Sequence, residues 1–253
     1  MMRHGEEGER HRLERVRLLF GHWPTPAMLC VLAAGVLFLA AAGATWQWAF
    51  VLLGIPAQML NEYLLHRCVF HLPPPRRQWV FDLLYQAHYG HHDFPAKPRL
   101  FFAPGWISLP VLAVNYLLVW GLLSLAVPAQ AAALAAAIVL IGGVATFLGY
   151  EWFHMTAHLP VPKLRVERHV TTLHNQHHFR DFSKWFHVSP GGEVIDRAMG
   201  TAISREALRG KQRIEFIRTL GLRPDDPRLV AARRRFAGKY GLSEAEIARA
   251  AQM

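Results

Sequence analysis

The sequence predicts an all-α membrane protein built from two transmembrane helical hairpins, four spans in all, with a helical cap on the cytoplasmic side. Two observations lead to this fold class. Residues 19–61 and 101–150 contain no Asp, Glu, Lys or Arg, and both segments are rich in apolar residues. A helix needs about 20 apolar residues to cross roughly 30 Å of hydrocarbon. Each uncharged segment is therefore long enough to cross a bilayer twice.

The four spans are expected at residues 27–45, 48–64, 106–127 and 131–150. The connections within each pair, residues 46–47 and 128–130, are short and uncharged, which predicts two helical hairpins. All 28 Lys and Arg residues then lie on one side of the membrane, and the positive-inside rule makes that side cytoplasmic. Both termini are expected there. A buried helical pair in a soluble protein is disfavoured, because uncharged segments of this length are rare in soluble folds.

The excess of 28 basic over 18 acidic residues would suggest a nucleic-acid partner in a soluble protein. The basic residues instead flank the uncharged segments, so no nucleic-acid partner is predicted. The two cysteines, Cys30 in the first span and Cys68 in a cytoplasmic segment, are not placed to form a disulfide bond. Their use is typical of a reducing compartment.

Composition divides the chain into a charged cytoplasmic amino-terminal segment (residues 1–23), a membrane domain (24–201) and a basic helical extension (202–253). In the extension, Ser243 and Glu246 predict a capping box for the last helix. Two interpretations of the extension remain open. It is either a basic surface that lies against anionic lipid or a solvated helical tail that packs on the rest of the protein.

Ten of the 15 histidines fall into four groups with defined spacings. The patterns, in chain order, are HxxxxH, HxxHH, HxxxH and HxxHH. Their members are His66 and His71; His88, His91 and His92; His154 and His158; and His174, His177 and His178. All four groups lie just past the cytoplasmic end of a predicted span or in the segment that follows it. One cap beneath the membrane can therefore gather them.

Helical geometry explains why these spacings suit a metal. At 3.6 residues per turn, the three histidines of HxxHH lie within an arc of about 100°, so they leave one helix face. Neutral imidazole is a common ligand of iron, zinc and copper. Ten such ligands suit two metal ions, each with roughly four or five nitrogens and a position left for oxygen. The sequence therefore predicts a histidine-rich two-metal site in the cytoplasmic cap.

His66 and His71 do not fit an unbroken α-helix, because positions i and i+5 diverge by about 140°. Prolines at positions 73–75 predict that the helix ends nearby. Two alternatives follow. The two histidines bind different metals, or the backbone leaves α-helical geometry between them.

Five other residues are candidates for a role near the ligands. Glu62 and Glu151 each lie about one helical turn before a histidine group, where a carboxylate can accept the second ring N–H of a ligand; a capping or solvated role is the alternative. His169 and His187 flank the last group and are candidate ligands or supporting residues. Cys68 is either a thiolate ligand of a soft metal or, as we favour, a packed thiol.

The order of the histidine groups, with a membrane hairpin between the second and third, resembles the fatty acid hydroxylase and sterol desaturase superfamily. The resemblance runs from about residue 61 to about residue 201. It is greatest to the fatty acid 2-hydroxylases, through Glu-Tyr-Leu-Leu-His-Arg-Cys-Val-Phe-His at 62–71 and Gly-Tyr-Glu-Trp-Phe-His-Met-Thr-Ala-His at 149–158. All ten histidine positions of that family are filled here.

The resemblance implies a non-haem centre of two metal ions, iron in the active enzyme and zinc in some purified forms. Such a centre uses dioxygen to hydroxylate or desaturate a lipid C–H bond, with electrons from a separate redox partner such as a cytochrome b5 or a ferredoxin. Residues 182–187, Phe-Ser-Lys-Trp-Phe-His, are bulkier than the small, glycine-containing stretch usual in the family. The substrate therefore stays open between a fatty acyl lipid, which we favour, and a sterol or carotenoid.

Two other function classes are disfavoured. A metal transporter or sensor needs polar or ionisable residues within its spans, whereas residues 24–61 and 101–150 hold no charged residue and no histidine. A metalloprotease of the common type needs an H-E-x-x-H segment, which the sequence lacks. These observations favour a membrane oxygenase.

Overall fold

The computed structural model describes residues 2–253, except for the side chains of residues 2–7 and 240. Within this part of the chain all regular secondary structure is helical, which confirms the all-α prediction. The chain forms two compact units, a larger one that ends at Ala202 and a smaller one, Ile203–Met253. The charged amino-terminal segment belongs to the larger unit.

The α-helices of the larger unit are joined by short 3₁₀ and π segments. In chain order they are α1 (Met2–Gly21), α2 (Pro24–Ala42), α3 (Val51–Leu65), α4 (Gln78–Leu84), α5 (Gly90–Asp93), α6 (Gly105–Ala126), α7 (Ala131–Ala135), α8 (Val144–His158), α9 (Arg165–Phe179) and α10 (Glu193–Ala198). A π-helix, Ala136–Gly143, joins α7 to α8 without a break. Helices α7 and α8 therefore form one long rod.

The smaller unit contains α11 (Arg205–Thr219), α12 (Pro227–Arg235), α13 (Ala237–Tyr240) and α14 (Glu244–Gln252). The predicted capping box begins α14: the Ser243 hydroxyl accepts from the N–H of Glu246 (3.3 Å), and the Glu246 carboxylate accepts from the N–H of Ser243 (2.9 Å). Ile217 and Ile247 are buried within this unit. The capping prediction is confirmed.

In the part of the chain that the structure describes, three helices are long and apolar enough to cross a membrane: Pro24–Ala42, Pro98–Ala126 and Ala131–His158. The second predicted span, residues 48–64, consists of a 3₁₀-helix, Thr45–Phe50, and the 15-residue α3. Fifteen residues of α-helix rise about 22 Å, less than the thickness of the hydrocarbon layer. Three of the four predicted spans therefore have a helix of sufficient length, and α3 alone does not.

Helix α3 crosses the long rod at two glycines. A Cβ atom on Gly54 would lie 2.2 Å from the carbonyl oxygen of Ile138 and 2.6 Å from the Cα of Gly142, so only hydrogen fits there. Small residues let helices approach this closely in membranes. Gly54 and Gly142 each lie twelve residues before a histidine, His66 and His154 respectively. The crossing therefore brings both histidine-bearing helix ends to one level, about 18 Å further along.

An apolar core joins the end of α1 to α8 beside these helix ends. Its buried members are Leu19, Phe101, Phe102, Met155, Leu159 and Val161. The Arg15 guanidinium donates to the Glu167 carboxylate at 3.0 Å, and the same carboxylate accepts from the indole N–H of Trp152 at 3.2 Å. The amino-terminal helix is thus tied to α8 and α9, which carry five of the ten grouped histidines.

Candidate metal centre

The ten grouped histidines converge in two clusters of five. Within each cluster, one ring nitrogen of every histidine lies within 4.8 Å of those of the other four. The first cluster comprises His66, His71, His88, His92 and His177, and the second comprises His91, His154, His158, His174 and His178. The structure therefore brings together every histidine that the spacing patterns singled out.

Each HxxHH group divides between the two clusters. His88 and His92 lie one turn apart and face the first cluster, whereas His91 faces the second. The group at 174–178 divides in the opposite sense, with His177 in the first cluster. On a helix, position i+4 lies about 40° to one side of position i, and position i+3 about 60° to the other. The face predicted for HxxHH thus serves two clusters.

The backbone departs from α-helical geometry between His66 and His71. Residues His66–Phe70 form a π-helix, and the N–H of His71 donates to the carbonyl oxygen of His66 at 3.1 Å. Because a π-turn closes after five residues, the two rings come close, with centroids 4.9 Å apart. Of the two alternatives for this pair, the structure has the second, and both histidines belong to one cluster.

Distances between ring nitrogens fit metal ligands. In the first cluster, Nε2 of His88 lies 3.0 Å from that of His66 and 2.8 Å from that of His92. In the second cluster, neighbouring Nε2 atoms lie 2.8 to 3.1 Å apart. Two nitrogens that bind one ion at about 2.1 Å and at right angles to each other lie about 3.0 Å apart. Both donor sets therefore suit a metal ion.

Burial keeps these imidazoles neutral. It lowers the pKa of His71 to about 3, with the neighbouring His177 adding to the effect. Burial likewise lowers the pKa of His92 to about 2 and that of His177 to about 4. A metal ligand must offer a lone pair, which only neutral imidazole does. At neutral pH the first cluster is thus ready to bind a cation without losing protons.

Backbone carbonyls orient two ligands of the first cluster. The Nδ1–H of His66 donates to the carbonyl oxygen of Phe186 at 2.5 Å, and the Nδ1–H of His177 donates to that of Lys184 at 2.7 Å. With the proton held on Nδ1, the lone pair of each ring lies on Nε2 and points into the cluster. Sequence patterns did not single out these carbonyls, because any residue type carries one.

The two predicted carboxylates hold loops next to the clusters. Glu62 is buried and accepts hydrogen bonds from the N–H groups of Val188 (2.6 Å) and Ser189 (3.2 Å), and from the Ser189 hydroxyl. Glu151 accepts from the N–H of Ala103 at 3.1 Å. The role of both as acceptors for ligand rings stays a prediction.

His169 and His187 lie outside the two clusters. The side chain of His169 is 50% exposed and pairs with Glu193 at 3.0 Å. His187 is buried, with Nδ1 3.0 Å from the Asp196 carboxylate and Nε2 2.8 Å from the carbonyl oxygen of Met59. Both nitrogens of His187 therefore face acceptors and have no lone pair to offer. The two cysteines are free and exposed, and Cys68 belongs to neither cluster, so the packed thiol expected at Cys68 is wrong.

An apolar cavity ends at the first cluster. It is lined by residues of α2, α3, α6 and the long rod. The lining includes His66 and Phe70, and also Val111 and Asn115 of α6. A largely apolar lining with a few polar groups is typical of a binding site for a largely apolar ligand. The structure thus places an apolar cavity beside the first cluster.

Residues 50–201, more than half of the chain, match the fatty acid hydroxylase family. The protein belongs to this family. The membership confirms the resemblance inferred from the histidine groups, and it identifies this hydroxylase family member as an oxidoreductase that acts on lipids.

Relatives of this family member are about 30% identical to it over the residues that match. Over 185 residues the chain is 30% identical to dihydroceramide fatty acyl 2-hydroxylase FAH2 of Arabidopsis thaliana. The match covers 71% of this chain and 72% of the relative. It is 30% identical over 141 residues to fatty acid 2-hydroxylase of Homo sapiens, and spans 36% of that protein's length.

A solved structure has the same fold. The visible hydroxylase domain of full-length Scs7p superposes with a TM-score of 0.58 at 22% sequence identity, covering 71% of this chain and 63% of that chain. At this identity the likeness establishes the fold of the hydroxylase domain.

Proposed function

We propose that this protein is a membrane-bound non-haem di-iron oxygenase that hydroxylates a fatty acyl C–H bond of a lipid, using dioxygen and electrons from a separate donor such as a cytochrome b5 or a ferredoxin. The observation that carries the proposal is the pair of five-histidine clusters, the first of which borders an apolar cavity. Relatives named fatty acid 2-hydroxylases support an acyl substrate.

Each cluster would hold one ion through the Nε2 atoms of its five histidines. Iron is the proposed metal because imidazole-rich sites with room for oxygen suit it. When bound, a reduced iron pair supplies the activation of dioxygen that attack on an unactivated C–H bond requires. The chain itself keeps its ligands neutral through burial and orients the rings of His66 and His177 through backbone carbonyls.

The cavity would hold the substrate with its acyl chain along α6 and its reacting carbon near His66. The polar side chains that line it include Gln58, Asn61, Ser108 and Asn115. The amide of Asn61 donates to Gln58 at 3.3 Å, and the buried Ser108 hydroxyl has no hydrogen-bond partner among the described residues. Polar groups inside a membrane domain are costly and usually functional. We propose that they bind the polar linkage of an acyl lipid.

The proposed topology has four spans and a cytoplasmic metal centre. Helix α3 would cross with the help of the 3₁₀-helix before it and the π-helix after it, since residues 45–70 are continuously helical. Residues 43–44 and 127–130 would then form the outer connections. All Lys and Arg residues, both termini and both clusters would lie on the cytoplasmic side, in keeping with the positive-inside rule.

The test measures incorporation of ¹⁸O from ¹⁸O₂ into lipid by the purified, iron-loaded protein with a chemical reductant and an electron donor. Wild type is expected to produce labelled hydroxy-acyl lipid, and His177→Ala to produce none. His169→Ala is the matched control, because His169 lies on the same helix but outside the clusters. Unlabelled product, or equal labelling by His177→Ala, would overturn the proposal.

A further inference from the structure

The two clusters differ in what supports them. Two rings of the first cluster, those of His66 and His177, donate from Nδ1 to backbone carbonyls. The buried Nδ1 atoms without a partner among the described residues include those of His91, His174 and His178 in the second cluster and of His92 in the first. Carbonyl support of this kind is thus concentrated in one cluster.

Both supporting carbonyls belong to one segment, residues 184–189, which we call the carbonyl strap. Trp185 separates them and has a φ of 54°, the only positive φ of a non-glycine residue in the described chain. A bulky side chain rarely adopts this conformation, which usually marks a functional constraint. Here the reversal at Trp185 turns the carbonyl groups on either side of it towards two ligands of the same cluster.

Contacts outside the first cluster hold Trp185 in this conformation. Its indole N–H donates to the side chain of Gln176 at 2.9 Å, and its backbone N–H donates to the carbonyl oxygen of Thr201 at 3.0 Å. Gln176 precedes His177 on α9, so the strap is tied to the helix whose ligand it orients. The bulky stretch noted in the sequence at 182–187 is therefore part of the support of the site.

One carboxylate anchors the strap. Asp196 is fully buried and accepts from the N–H groups of Phe186 (2.9 Å) and His187 (3.1 Å), from Nδ1–H of His187 (3.0 Å) and from the Thr201 hydroxyl (2.8 Å). The N–H of Phe186 belongs to the same residue whose carbonyl faces His66. Asp196 therefore sets the direction of that carbonyl without belonging to either cluster.

We propose that Asp196 is a positioning residue for the first metal site alone: it fixes the carbonyl strap, which holds the protons of His66 and His177 on Nδ1 and directs their Nε2 lone pairs at the ion. The inference rests on the metal centre of the proposed function. It makes the two sites inequivalent. The first depends on a rigid support from residues 184–196, and the second does not.

The test counts ions retained by the purified full-length protein during competition with a chelator, using Zn²⁺ as a redox-inert probe. Wild type is expected to retain two ions per chain. Asp196→Asn preserves size but removes the charge and one acceptor, and it should weaken one of the two sites about 10-fold to 100-fold, the usual effect of losing such support. Glu193→Gln, on the same helix and also hydrogen-bonded to a histidine, should leave both sites unchanged.

Asp196→Asn combined with each of two ligand variants shows which of the two sites it weakens. In His158→Ala, which lacks a ligand of the second cluster, Asp196→Asn should weaken the one ion that remains. In His71→Ala, which lacks a ligand of the first, it should change nothing. Equal weakening of both sites would indicate a merely structural role and overturn the inference, as would no weakening at all.

If Asp196→Asn does not fold, a milder variant provides the test. Thr201→Val removes one hydrogen bond to Asp196 and should weaken Zn²⁺ binding at the same site by a smaller factor. Unchanged Zn²⁺ binding at that site would overturn the inference. The readout is independent of oxygen chemistry. If wild type binds two zinc ions but its iron-loaded form incorporates no ¹⁸O, the proposed function fails while this inference stands.

Discussion

Residues 45–92 and 131–178 build the same arrangement with different backbones. Each begins with a helix that crosses the other at a glycine, carries a histidine pair at its end and continues to an HxxHH group. In the first half, π-helices contain His66 and His88. In the second half, the histidines lie on ordinary α-helix. Ligand geometry is thus conserved between the halves although residue spacing is not.

The halves also depend on each other. Each supplies four histidines to its own cluster and one to the other, His91 from the first half and His177 from the second. Neither half can therefore form a complete five-histidine cluster alone. The exchange makes the centre a property of the assembled domain.

The largest expected effect comes from breaking one cluster at a time. His71→Ala and His158→Ala should each lower the bound metal from two ions to one per chain and reduce hydroxylation at least about 100-fold, because the proposed chemistry needs both ions. Elemental analysis and product formation measure the two outcomes.

His91, which the first half supplies to the second cluster, allows a sharper test of the division of ligands between the clusters. The substitution His91→Ala changes a residue of the first half, but it should remove the ion from the second cluster. The double variant with His158→Ala should lose no further ion, because both residues belong to the second cluster. The double variant with His71→Ala should lose both ions. Additive loss in the first pair would contradict the division of ligands between clusters.

Filling the cavity should separate substrate binding from metal binding. The cavity lining includes His66 of the first cluster and no other histidine among the described residues. Val111→Trp should raise KM at least about tenfold with both ions retained, since the acyl chain loses volume. Leu118→Trp, 58% exposed on the same helix, is the control and should leave KM unchanged. An unaltered KM in both variants would place the substrate elsewhere.

A larger side chain at the crossing of α3 and the long rod tests whether this crossing aligns the histidine-bearing ends of the two halves. Gly54→Ala introduces a methyl group against backbone atoms of the long rod and should lower the free energy of unfolding by about 1–3 kcal/mol, the usual cost of overpacking. Gly149→Ala, in α8 with nothing within 4 Å, should be neutral or slightly stabilising. Thermal unfolding in detergent measures both, and equal stability of the two variants would argue against the close crossing.

The smallest effect concerns pH and the strap. Burial opposes the charge of His187, but the hydrogen bond to Asp196 and the charge of Glu62 outweigh it and raise the pKa of His187. A raised pKa stabilises the folded state fully below the unfolded value of about 6.5, and this contribution disappears as pH rises through the folded value. The stability lost in His187→Gln, roughly 1 kcal/mol, should therefore be larger at pH 6 than at pH 9.

The exposed His169 provides the comparison for that measurement. His169→Gln should change stability little, because an exposed pair contributes little. A pH-independent loss in His187→Gln would mean that His187 is neutral in the folded protein.

Much of this site is readable from spacing, because i, i+4 histidines share a helix face whatever surrounds them. The division of His91 and His177 between clusters is not readable, since it depends on how neighbouring helices pack. Asp196 and Trp185 have no periodic signal; the unusual bulk of residues 182–187 was the one indication. The 3₁₀ and π turns that flank α3 are not readable either, because hydropathy counts apolar residues and does not register where an α-helix gives way to 3₁₀ or π geometry.

The π-turn at residues 66–70 has a wider consequence for recognising such centres. It accommodates one residue more than an α-turn, so HxxxxH here and HxxxH at 154–158 present equivalent pairs of nitrogens. An inserted residue can thus be absorbed within a single turn, without displacing anything beyond it. Searches for histidine centres that demand a rigid count between ligands will overlook proteins that have used this tolerance.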